Sequence, residues 1–137
     1  MKKTDLSTLL DLAKRAQKNA IVPYSNFPVG AALVTKSGRI FTGCNIEVSS
    51  YGLTICAERV ALFKALSEGE SEFSRLVVSA DTKQFCSPCG ACRQVLIEYA
   101  PEIQIILLNS ENKIKQTMIA DLLPQAFNKN ILKNRKQ

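Results

Sequence analysis

A chain of 137 residues, 46% hydrophobic and 22% charged, suits one globular domain with a real core and excludes a disordered or low-complexity polymer. No apolar run approaches the roughly 18 residues of a membrane crossing, and no apolar stretch follows Lys2 and Lys3 as it would in a secretory signal. Five cysteines, an odd number, oppose a disulfide framework and fit a reduced, cytoplasmic protein, while much of the formal charge of +6 sits near the end at Lys129, Lys133, Arg135 and Lys136.

Leu6, Leu9, Leu10, Ala13, Ala16 and Ala20 recur at helical spacing, so an amphipathic helix is expected from about Asp5 to Asn19. Thr4 or Asp5 caps its start, and it stops before Pro23. Pro23 to Pro28 reads as a loop, Val29 to Lys36 as a short apolar strand of small residues, and Ser37-Gly38 as a tight turn. Arg39 to Cys44 then returns as the second strand of a hairpin. Asn45 and Glu47 lie at its end, either facing a cleft or simply exposed. A helix begins at Cys56 and runs to about Leu66, with Gly69 as its C-cap. Arg75 to Asp81 is a buried-type strand, and Pro88 opens a helix from Cys89 to Tyr99. Ile103 to Leu108 is a strongly apolar strand, Lys113 to Thr117 a fifth strand, and Ile119 to Leu123 a helical turn before Pro124. No repeat or linker divides residues 1–137, so one helix–sheet–helix domain is expected, with 128–137 as a solvated basic tail. Such a tail also suits nucleic acid, but no basic stripe with interleaved aromatics accompanies it.

Two stretches carry chemistry, Cys56-Ala57-Glu58 and Pro88-Cys89-Gly90-Ala91-Cys92. A C-x-x-C pair lets two thiolates reach one metal ion, and Cys56 supplies a third. The chain has no histidine to close the site, so three cysteines leave one coordination position open, as in hydrolytic zinc centres. Both clusters fall at expected helix starts, where partial positive charge favours thiolate over thiol. Arg59 and Arg93, in the first turns of those helices, are candidates to hydrogen-bond the sulfurs and withdraw charge. Glu58 is the candidate proton shuttle. The joint pattern is that of zinc deaminases, in which a zinc-bound hydroxide attacks carbon 4 of cytosine while a glutamate moves protons. Cys44 and Cys86 have no such motif around them and read as small apolar residues.

The chain closely resembles the small, homotetrameric cytidine deaminases. The marks are Pro23-Tyr24-Ser25-Asn26-Phe27-Pro28-Val29-Gly30-Ala31-Ala32, Gly43-Cys44-Asn45-Ile46-Glu47, the run Tyr51 to Arg59, and the second cysteine motif. The resemblance runs from the first helix to about Phe127. It implies a three-layer α/β/α sandwich around a five-stranded mixed sheet, one zinc per chain on Cys56, Cys89 and Cys92, and hydrolysis of cytidine and 2′-deoxycytidine to uridine and 2′-deoxyuridine with release of ammonia, in pyrimidine salvage. It further implies that Phe27 packs on the pyrimidine, that Asn45 and Glu47 bind the ribose hydroxyls, and that backbone near Ala57 reads the base edge. Arg59 would offset thiolate charge, and Phe127, with Tyr51, would complete a neighbouring subunit's site. Val48 and Gln125 depart from the family pattern, which often has asparagine at the first position and usually glycine at the second. Two rivals remain open. One is a blasticidin-type deaminase, which shares the zinc motifs but is disfavoured by Phe27, Asn45 and Glu47 together. The other is a structural zinc module binding nucleic acid, which needs a fourth ligand from Cys44 or Cys86 and leaves Glu58 unexplained.

Overall fold

The computed structural model describes residues 4–134. Asp5 caps the first helix, α1 (Leu6–Gln17), by accepting a hydrogen bond from the backbone N–H of Ser7. Next come the strands β1 (Val29–Thr35) and β2 (Ile40–Cys44), a hairpin whose turn needs the left-handed Gly38 at φ 98°. A single turn at Tyr51–Leu53 precedes α2 (Ala57–Ser67), β3 (Phe73–Ala80) and α3 (Gly90–Tyr99). The chain continues as β4 (Gln104–Leu108), β5 (Ile114–Met118), α4 (Ile119–Leu122) and α5 (Lys129–Lys133). Among the described residues no helix is long and apolar enough to cross a membrane.

The five strands form one sheet in the order β2-β1-β3-β4-β5, with β3 and β4 parallel and the other pairs antiparallel. Parallel neighbours need a crossover, and α3 supplies it. Strand β1 is buried along its whole length because both faces are covered. Its alternating side chains divide accordingly. Ala32 and Val34 join Leu9 and Ala13 of α1, whereas Ala31 and Leu33 join Ala57, Ala61 and Leu62 of α2 and Leu96 of α3. The three layers and the mixed sheet are those expected from the sequence.

Gly43 matters for the site. A Cβ there would lie 2.5 Å from the carbonyl oxygen of Ala57, so only glycine lets the start of α2 settle onto β2. Three local expectations change. Cys56 and Cys89 are not the first helical residues but the N-caps of α2 and α3, in extended conformation. The segment expected as a solvated tail is exposed over 129–134 but contains α5, whose first turn Asn128 caps through its side chain, and 135–137 lie outside the described residues. Arg93 does not turn to a sulfur. Its Nε donates to the carbonyl of Pro88 at 2.7 Å, Nη1 to that of Leu122 at 2.8 Å, and Nη2 to Ser87 Oγ at 2.8 Å.

Candidate active site

Two strand-loop-helix passages end at the same point. Backbone hydrogen bonds of 3.0 Å in both directions pair Ile46 with Ile55, which sets Cys56 beside the end of β2. The loop after β3 delivers Cys89, and Cys92 lies three residues on, over the same side of α3. The three Sγ atoms lie within 4.8 Å of one another, with Cys56 to Cys89 at 3.5 Å and Cys89 to Cys92 at 3.6 Å. Sulfurs on one tetrahedral zinc, with Zn–S near 2.3 Å, stand about 3.8 Å apart. The donor set therefore fits zinc with a position left for a reactant. Cys44 and Cys86 stand outside the cluster.

Charge at the cluster is anticipated by its surroundings. The Cys92 thiol, hydrogen-bonded to Cys56, draws the Cys56 thiol down to about 5, with help from Arg59 and against the effect of burial. Cys92 is pushed up by the same contact and by its burial, so the pair shares a proton that metal would displace. Arg59 reaches Cys56 Sγ at 3.6 Å, and its Nε is buried without a hydrogen-bond partner. An orphaned cationic donor here fits a site built to gather thiolates.

Glu58 sits in the first turn of α2 and is 5% exposed. Burial, reinforced by the negative Cys56, pushes its carboxyl up to about 7, where it can accept and release a proton near neutrality. It opens onto a pocket of about 200 Å³ shared with Phe27, Asn45, Ala57, Cys56 and Cys89. Cys86 and Ser87 also line this pocket. Sequence reasoning left both out of the site, although their place directly before Pro88 was a signal.

The remaining site candidates lie further out. Glu47 and Tyr51 line a separate cleft of about 390 Å³ with Tyr24, Ser25 and Thr54. Glu47 accepts from the backbone N–H groups of Tyr24 and Ser25 at 3.0 and 3.1 Å and from the Ser25 hydroxyl. These bonds, the hydroxyl first, hold its carboxyl below the ordinary 4.5. Ser25 Oγ in turn accepts the N–H of Phe27 at 3.0 Å. Asn45 donates to the carbonyl of Phe27 at 2.8 Å and accepts from the N–H of Val29 at 2.9 Å. Both polar residues thus hold the loop that presents Phe27, a function the sequence did not reveal. Tyr51 is 73% exposed and meets Tyr24 edge-on, with ring centroids 5.6 Å apart. Phe127 is 54% exposed and lines neither cavity. A larger cavity of about 600 Å³, near Lys14, Lys18 and Asp81, contains none of these groups.

Residues 3–108 match the family described as the cytidine and deoxycytidylate deaminase zinc-binding region. The chain is 50% identical over 126 residues to a cytidine deaminase of Sporosarcina psychrophila, covering 91% of this chain and 93% of that one. The crystal structure of a cytidine deaminase from Burkholderia pseudomallei superposes with a TM-score of 0.88 at 48% identity, over 90% of this chain and 100% of that one. A blasticidin-S deaminase of Bacillus cereus is more distant, 34% identical over 110 residues, covering 74% of this chain and 78% of that one.

Proposed function

Since the chain belongs to the cytidine and deoxycytidylate deaminase zinc-binding family, we propose that it hydrolyses cytidine and 2′-deoxycytidine to uridine and 2′-deoxyuridine, with Glu58 as its acid–base group. Cys56, Cys89 and Cys92 would hold the one zinc per chain. When bound, zinc supplies a Lewis acid that activates water near neutral pH. Glu58 takes a proton from the attacking water and delivers it to ring nitrogen 3 as the oxygen adds to carbon 4. It then carries the remaining hydroxyl proton to the exocyclic amine, the carbon–nitrogen bond breaks, and ammonia leaves. The observation that carries this assignment is the burial of Glu58 in the pocket of the three thiols, with its carboxyl raised to about 7.

Phe27 stacks on the pyrimidine, the backbone at Ala57 meets the base edge, and Asn45 and Glu47 take the ribose hydroxyls. Arg59 offsets thiolate charge from its place beside Cys56. The exposed rings of Tyr51 and Phe127 cover a neighbouring subunit's nucleoside in a homotetramer. Five free thiols suit the reducing cytoplasm. Absorbance monitoring of purified protein with cytidine, alongside a zinc count per chain, tests the reaction. Turnover of blasticidin S with cytidine untouched would overturn it.

A further inference from the structure

We propose that Gln94 is a positioning residue for Phe127, holding the segment that carries this ring against the helix that carries Cys92. The inference rests on the reading that Phe127 touches a nucleoside. Gln94 lies two residues beyond Cys92 on α3, and its Nε2 donates to the backbone carbonyl of Phe127 at 2.7 Å. Among the described residues, no other hydrogen bond ties residues 124–128 to the chain outside the C-terminal segment 119–134. That tether matters because the turn before it is strained. Gln125 is left-handed at φ 55°, a conformation that a residue with a Cβ adopts at a cost. A strained turn with an exposed ring beyond it has little reason to keep one pose unless something fixes it, and one amide donor on a rigid helix does so. The neighbouring Arg93 completes the arrangement by binding the carbonyl of Leu122 just upstream.

The near-isosteric Gln94→Glu removes the donor and sets a carboxylate against a carbonyl, while Gln94→Lys keeps a donor. KM and kcat for cytidine, with zinc per chain, are to be measured for Gln94→Glu, Gln94→Lys, Phe127→Ala and the double variant Gln94→Glu/Phe127→Ala. Gln94→Glu should raise KM about three- to tenfold, the scale of one net hydrogen bond, with kcat and zinc unchanged. Gln94→Lys should stay close to wild type. In the Phe127→Ala background the same Gln94→Glu change should add less than about twofold, since both act through one ring. An equal rise in both backgrounds, or a loss of kcat together with zinc, overturns the proposal. So does an unchanged KM in Gln94→Glu when Phe127→Ala raises it. An unchanged KM in Phe127→Ala instead removes the underlying role of Phe127, and the two failures are therefore distinct.

Discussion

The corner of three thiols and the aromatic rim were built by opposite means. At the corner the three thiols and Glu58 are gathered from within the chain, at the starts of α2 and α3. Cys92 and Glu58 are buried, and Arg59 holds a donor in reserve. At the rim, Tyr24 and Tyr51 are each more than half exposed, as is Phe127, which lines neither cavity of its own chain. Phe27 and Glu47 are placed there by loop hydrogen bonds rather than by packing. Reaction chemistry needs groups fixed in a low-dielectric setting, so it is housed where the core already is. Enclosing a substrate needs area that a small domain lacks at its strand ends, and it is there that the proposed assembly would add it.

If the corner is self-contained, losing one thiol should abolish it. Cys89→Ala should lose most of its zinc by metal analysis, while Cys44→Ala and Cys86→Ala keep theirs; retention in the first or loss in either control breaks the contrast. Glu58→Gln should keep zinc and fold yet lose at least about 10²–10⁴-fold in kcat, the usual value of one placed acid–base group. Near-normal turnover in zinc-replete protein would remove Glu58 from the reaction.

The rim should respond in binding instead. Phe127→Ala should weaken nucleoside binding by roughly 1–3 kcal/mol, read as KM, with zinc content untouched. Mixing Phe127→Ala chains with Glu58→Gln chains should restore normal KM in a fraction of sites if the ring acts across an interface. A monomer by light scattering with full efficiency would put the whole site back in one chain. Gln125→Gly should raise stability by about 1 kcal/mol in thermal melts, because glycine takes φ 55° without a Cβ clash. The smallest effect is electrostatic. Glu47 is held below 4.5, so its contacts favour folding above that pH, and the contribution is lost as pH falls through the lowered folded value. Ser25→Ala should move the carboxyl titration, followed by carbon NMR, back toward 4.5; no movement would show that Ser25 does not set it.

The sequence by itself determined the elements and the chemistry, because both follow from local spacing. A C-x-x-C at a helix start brings two thiols over one turn, and the unbroken apolar run of small residues in β1 suits a buried strand packed closely against a helix. It also placed Arg59 near sulfur, since three residues on from the Cys56 N-cap is the same helix face. Arg93 satisfies a like spacing, four residues on from the Cys89 N-cap, yet its guanidinium is drawn off by the carbonyls of Pro88 and Leu122 and the hydroxyl of Ser87, acceptors that spacing from the cysteines does not register. The helix at 129–133 was hidden in a polar tail because its signal was a cap at Asn128 rather than an apolar stripe. Only the tertiary structure decided that Cys56 meets Cys89 across 33 residues, that Asn45 and Glu47 hold the Phe27 loop, and that Gln94 reaches Phe127. Each of these contacts joins segments whose approach is set by sheet order and helix packing, for which no spacing along the chain is a measure.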